Sequence, residues 1–290
     1  MKQCRLLCLW AALLFLAAGP AAYADSPVWK ISRGDHHLFI GGTVHVLGPS
    51  DYPLPGAFET AYREASAIVF EADPQALQSS EFQQALVART TYPQGRDLTM
   101  VLDDETVKDL EQYLSSRGIP MDNLIRFKAG MVSITLTVIE LQRLGLAGTG
   151  VDAFFGLRAL QDEKTVRGLE TAEEQLAYIA TMGAGREDAL IDYTLRQIEE
   201  LPQLMQAMKA AWRSGDNARM EAVAMKPLEE DFPEVHDQFV TRRNAAWLPE
   251  IEAMLQTGPV EFVLVGALHL VGDEGLLAQL KALGCTIENL

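Results

Sequence analysis

Gly42-Thr43-Val44-His45-Val46-Leu47-Gly48 and Gly266-Ala267-Leu268-His269-Leu270-Val271-Gly272 are two copies of one pattern, G-x-x-H-φ-φ-G, with φ apolar. Each copy follows an apolar run, His37 to Gly41 in one case and Phe262 to Val265 in the other. Short apolar runs closed by glycine read as buried strands whose chain turns sharply at a sheet rim. The residues after the turn then carry an imidazole to that rim. Two such rims can converge on one metal ion or one substrate.

Working outward from the first copy, Val28 to Arg33 and His37 to Gly41 form a hairpin around Gly34-Asp35. A loop rich in Pro and Gly follows His45. Then come a helix with Phe58, Ala61, Tyr62 and Ala65 on one stripe and a strand from Ala67 to Glu71. The second copy has the same plan. Strand Glu261 to Val265 leads to His269, Asp273 is placed to cap a helix with Leu276, Leu280 and Leu283 on one stripe, and Cys285 to Glu288 closes the chain as a strand. The fold class is therefore α/β (α+β), a central mixed β-sheet flanked by helices. Strand–GxxH–helix–strand units at the two ends are pseudo-symmetric around a helical middle.

In that middle, Met131 to Leu146 is a buried helix too short and too charged for a membrane span, although alternating Val132, Ile134, Leu136 and Val138 leave a strand possible. Lys164 to Leu169 is a strand candidate ending at Glu170. Between Leu228 and Leu255, His236, Val240, Arg243, Trp247, Ile251 and Met254 share one helical face. Residues 1–24 read as a signal peptide, with basic Lys2 and Arg5, an apolar stretch from Leu6 to Ala18, and an Ala22-Tyr23-Ala24 cleavage site. Residues 25–290 then form a single domain with a helical insertion at about 100–255. A secreted protein is expected, periplasmic if the host is Gram-negative, with no stable membrane anchor after cleavage.

Cys4 and Cys8 leave with the leader, so Cys285 is a lone thiol, expected buried and inert. A net charge of −16 argues against nucleic acid or anionic lipid as a partner. The sequence has no G-x-S-x-G elbow, H-E-x-x-H helix, P-loop or G-x-G-x-x-G.

Of the five histidines, only His45 and His269 stand at glycine-marked strand ends. His36 and His37 belong to a hairpin turn, and His236 to a charged helix where it is expected solvated. Glu71 and Glu170 each end an apolar strand, where sheets flanked by helices bind ligands. Two imidazoles and two carboxylates there can supply metal ligands and a general base. Glu170 also reads as a helix-capping residue before Thr171. Arg243 lies on the inward stripe with Trp247 and Ile251, so it needs a carboxylate or a developing oxyanion as partner. Asn244 reads equally as a plain surface residue.

These residues, together with Gly42-Thr43-Val44-His45, Phe70-Glu71-Ala72-Asp73, Gly150-Val151-Asp152, Gly168-Leu169-Glu170-Thr171, Arg242-Arg243-Asn244 and the closing G-x-x-H, resemble the TraB/GumN family. That family includes the Tiki metalloproteases, and its fold resembles the erythromycin esterase and ChaN group. The resemblance implies that His45, Glu71 and His269 hold a divalent metal (zinc, manganese or cobalt). Glu170, Arg243 and Asn244 occupy other characteristic positions of the family, and their chemistry leads to the expectation that Glu71 or Glu170 is the base for water and that Arg243, with Asn244, stabilises an oxyanion or orients a carboxylate. The expected activity is a metal-dependent hydrolase, a peptidase acting on a peptide or protein. The alternatives are a non-catalytic protein that sequesters a peptide, haem or another small ligand, and a metal-free esterase of the erythromycin-esterase type.

Overall fold

The structure is a computed structural model that describes residues 26–290. The expected leader at 1–24 lies outside the described residues.

Among the described residues, eight strands and nine longer helices follow in chain order: β1 (Val28–Arg33), β2 (His36–Thr43), β3 (Val46–Leu47), α1 (Gly56–Glu64), β4 (Ala67–Phe70), α2 (Ser80–Thr90), α3 (Asp104–Ser116), α4 (Ala129–Arg143), β5 (Gly148–Thr149), α5 (Val151–Gln161), β6 (Thr165–Gly168), α6 (Ala172–Thr181), α7 (Glu187–Arg213), α8 (Arg242–Met254), β7 (Glu261–Gly266), α9 (Leu276–Ala282) and β8 (Thr286–Asn289). The main sheet has the order β6-β4-β7-β2-β1-β8. Its strands β6, β4, β7 and β2 are mutually parallel, while β1 runs antiparallel to both β2 and β8. This is the mixed sheet that the sequence pattern predicts.

The last parallel strand of the chain, β7, inserts between β2 and β4, so the two G-x-x-H copies leave neighbouring strands. Thr43 of the first copy pairs in register with Gly266 of the second. From β2 the chain crosses through α1 to β4 on one side, and from β7 it crosses through α9 to β8 on the other. Right-handed crossovers in opposite directions must place their helices on opposite faces of the sheet. The packing agrees: Phe58 and Tyr62 of α1 join Phe39, Ile68, Phe70, Phe262 and Leu264, whereas Leu276 and Leu280 of α9 join Ile31, Ile40, Val69, Val263 and Val265. The two end units thus put their helices on opposite faces but are not equivalent, since the first passes one strand to reach β4 and the second passes two, β2 and the antiparallel β1, to reach β8.

Aromatic side chains fill the first face, with Phe155 of α5 stacked on Phe58 at 5.8 Å and edge-on to Phe262 at 5.9 Å. Trp212, near the end of α7, donates from Nε1 to the Gly42 carbonyl at 2.7 Å and ties the end of β2 to that helix. Trp247 and Ile251 of α8 cover the opposite face. A third cluster, built on Leu110, Leu114, Val132, Leu136, Ile191 and Ile198, holds α3, α4 and α7 together. Met131 to Leu146 is helical over Ala129–Arg143, which settles its ambiguous alternation. The span expected to be a helical insertion also contributes β6, an edge strand of the main sheet.

Five local readings are corrected. Gly275, not Asp273, caps α9, and Leu283 lies beyond that helix and exposed. The 228–255 segment is not one helix, because Phe232 leaves helical conformation and breaks it, and a π-helical turn at Asp237–Thr241 leads on into α8. All six residues of its inward stripe are nevertheless buried, including His236, which is not solvated. Cys285 is buried as expected, but it precedes β8, whose residues are largely exposed. No helix among the described residues is long and apolar enough to cross a membrane.

Candidate functional site

The four parallel strands end at one rim, and each delivers one of the predicted residues. Read across the sheet as β6, β4, β7 and β2, the order is Glu170, Glu71, His269, His45. Backbone pairing persists past the strands: the Leu169 amide donates to the Phe70 carbonyl at 2.9 Å and the Glu170 amide to the Glu71 carbonyl at 2.8 Å. The two carboxylates are therefore held side by side. Arg243 and Asn244 arrive from the second face on the first turn of α8, directly after the π-helical turn.

Arg243 is the hub. Its Nη2 donates to Glu71 Oε2 and to Glu170 Oε1, each at 2.6 Å, and its Nε donates to Glu170 Oε2 at 3.0 Å. Its Nη1 lies 3.2 Å from His269 Nε2. The guanidinium also stacks over the Trp247 ring at 4.5 Å and stands 5.7 Å from the Tyr178 ring. The partner that a buried charge requires is thus a pair of carboxylates.

His269 sits on a short turn, Ala267–Leu270, with its ring 4.5 Å from that of Trp247. Asn244 is fully buried, not a surface residue. Its Nδ2 donates to the carbonyls of His269 (3.2 Å) and Glu274 (3.0 Å), so its Oδ1 is the acceptor for His269 Nδ1 at 2.8 Å. Nδ1 therefore carries the proton and Nε2 keeps a lone pair. Burial, reinforced by Arg243, pushes the His269 pKa down to about 4, and the ring is neutral at pH 7.

Glu71 accepts from the Gly266 amide at 2.7 Å through Oε1, which lies 3.6 Å from His269 Nε2. A Cβ on Gly266 would stand 3.2 Å from that oxygen and 3.5 Å from the His269 ring, so the motif glycine makes room for both. Burial alone would raise the Glu71 pKa. The positive charge of its neighbours and the Gly266 amide outweigh burial and hold it at about 2. Because His269 is itself neutral at pH 7, Arg243 is the standing partner. Glu170 moves the other way: burial raises its pKa, with Glu71 adding to the rise and Arg243 opposing it. It does not cap α6, because Thr171 does so in a capping box with Glu174.

His45 differs from the rest. Its side chain is 69% exposed, against 7% for His269, 10% for Glu71, 5% for Glu170 and 6% for Arg243. His45 is the solvent-facing member of the group. Its Nδ1 lies 2.8 Å from Asp152 Oδ2, and Asp152 foremost raises the His45 pKa to about 9. Asp152 was not among the predicted site residues, and its one signal was its place in the Gly150-Val151-Asp152 motif. Tyr178, beside the guanidinium, gave no signal at all. His36 and His37 start β2 at the far end from Thr43, and His37 pairs with Glu64. His236 takes no part in the polar network among the described residues.

The model of the TraB/PrgY/gumN family matches residues 27–289. The chain belongs to that family. Two relatives, each named "Uncharacterized protein YbaP", come from Escherichia coli (strain K12) and Shigella flexneri. Each is 27% identical over 275 residues, covering 89% of this chain and 98% of the relative. No solved structure matches.

The donor types of His45, Glu71 and His269 suit a divalent ion, and both imidazoles have Nδ1 engaged, the outer contact that leaves Nε2 for a metal. Among the described residues, no three His, Cys, Asp or Glu side chains form a metal-holding group. The Arg243 guanidinium contacts both Glu71 and His269. The residues suit an ion in donor type, but among the described residues they are not arranged around one, and binding it requires Arg243 to yield its contacts with Glu71 and His269.

Proposed function

We propose that this chain is an exported hydrolase of amide or ester carbonyls, a peptidase, working at the rim where β6, β4, β7 and β2 end. The observation that carries the reading is the convergence of Glu170, Glu71, His269 and His45 on that rim under Arg243. Two carboxylates beside two imidazoles of opposite charge preference are groups that move protons, which sequestration of a ligand does not need.

His45, Glu71 and His269 would hold the ion, zinc, manganese or cobalt, which would polarise a carbonyl and acidify water. Glu71 stays ionised and suits a ligand. Glu170, with its pKa raised, is the better matched of the two acids to accept a proton from water. Arg243, once its Nη1 leaves His269, would have an N–H for the oxyanion that develops as the carbonyl is attacked. Glu170, once it has taken that proton, is placed to pass it to the leaving amine, and His45, protonated at neutral pH without the ion, would give up its Nε2 proton on taking the ion up.

A second reading, a metal-free esterase, draws support from the guanidinium, which already places a cation against Glu71 and His269. Hydrolysis of unstructured peptides and simple esters, measured with and without a chelator, separates the readings. Peptide turnover that is lost on chelation, restored by metal and absent in His45→Ala supports the metallopeptidase. Ester turnover that survives chelation supports the second reading. Turnover of neither substrate contradicts both. Export is tested by fractionation: a mature form beginning near Asp25 outside the cytoplasm is expected, and a full-length cytoplasmic chain contradicts it.

A further inference from the structure

The two imidazoles of the rim are held by unequal means. His269 is wedged against Trp247, bonded through Nδ1 to a fully buried Asn244 and closed off from solvent. His45 has no such walls. With a side chain 69% exposed, its single hydrogen-bonding side-chain partner among the described residues is Asp152. A ring so open to water keeps its rotamer freedom unless one directed bond removes it.

The backbone is arranged to bring that bond about. After His45 the chain forms β3, which pairs antiparallel with β5, Val46 against Thr149 and Leu47 against Gly148. The Val151 amide then donates to the Val44 carbonyl at 3.0 Å, so residues 148–151 are tied to both sides of His45. Gly150 lies so close that a Cβ there would fall 2.1 Å from the His45 carbonyl oxygen. The next step of the chain puts Asp152 on the first turn of α5, an 11-residue helix. There the helix dipole favours a carboxylate. Asp152 forms no ion pair with Lys or Arg among the described residues, and its recorded side-chain contact is the one with His45.

We propose that Asp152 is a positioning residue for His45: its carboxylate accepts the Nδ1–H, fixes the ring, and leaves Nε2 as the atom presented to substrate or ion. The kinetic consequence rests on the hydrolytic reading, whereas the structural one does not.

The test takes Asp152→Asn, which keeps an acceptor oxygen, beside Asp152→Ala and Asp152→Ser, which cannot reach the ring. Crystal structures and peptide kinetics are obtained for each. In Ala and Ser the His45 ring is expected to occupy more than one rotamer while the Arg243–Glu71–Glu170 cluster stays in place. Turnover is expected to fall about 10–100-fold, the usual cost of removing an outer partner from a histidine, with KM little changed. Asn is expected to restore the single rotamer and most of the turnover. A single wild-type rotamer in both Ala and Ser overturns the proposal, as does an Asn variant as impaired as Ala. If the wild type hydrolyses nothing, the proposed activity fails, and the rotamer comparison alone still decides the role of Asp152. Should Ala not fold, Ser and Asn carry the comparison.

Discussion

At the scale of residues, the site turns on one buried cation shared by two buried anions. Breaking such a group costs far more than the group contributes, because the survivors remain charged without a partner. Arg243→Ala strands Glu71 and Glu170, so a loss of about 3–5 kcal/mol is expected from the denaturant midpoint. Arg243→Lys keeps the charge but cannot reproduce the fork that meets Glu170 through Nε and Nη2, so it is expected to recover only part of that loss. A wild-type midpoint in the Ala variant would mean that the cluster is not closed as described. Asn244 shows where single-residue reading stops. In sequence it follows two arginines in a charged segment, and its partners, His269 and the carbonyl of Glu274, lie 25 and 30 residues away.

At the scale of elements, the glycines of the repeated motif decide how closely strand ends and side chains approach. Gly266→Ala puts a Cβ 3.2 Å from the Glu71 carboxylate, and the oxygen must move. The expected cost is roughly 1–3 kcal/mol in stability and at least about tenfold in turnover, because the reacting groups lose register. An Ala variant with both properties unchanged would contradict the assigned contact. Both histidine-bearing strand ends were legible because an apolar run closed by glycine is a local signal. Their adjacency was not legible, since inserting β7 between β2 and β4 is a matter of topology. The stripe from His236 to Met254 faces inward, as its helical spacing predicts, and His236 goes with it although the charge of its neighbours points to solvent. Helical position was the better guide. Asp152 was missed because its reach to His45 depends on the β3–β5 pairing, whose two-residue strands have no periodicity to detect.

At the scale of the whole molecule, the titrations of the site set how stability depends on pH. Glu71 titrates at about 2 in the fold against an ordinary 4.5, so its contribution is present above 4.5 and lost as pH falls toward 2. His269 titrates at about 4 against 6.5, so between those values the unfolded chain takes a proton the fold refuses, and stability falls on acidification. His45 is raised to about 9, so its contribution is present below 6.5 and lost as pH rises toward 9, weakened by solvent screening of the exposed ring. The melting temperature is expected to peak near neutrality and to drop steeply between 6.5 and 4, a limb that Glu71→Gln flattens at its lower end. A flat profile over that range would contradict the burial of the pair. The central claim is that the two ends of the chain build one centre, with His45 and His269 serving the same ion. The most direct measurement is metal content by elemental analysis after incubation with zinc, manganese or cobalt, in the wild type, His45→Ala, His269→Ala and His236→Ala. The account predicts about one equivalent in the wild type and in His236→Ala, and none in either of the other two. Metal retained by either single variant, or bound by none of the four proteins, would contradict it.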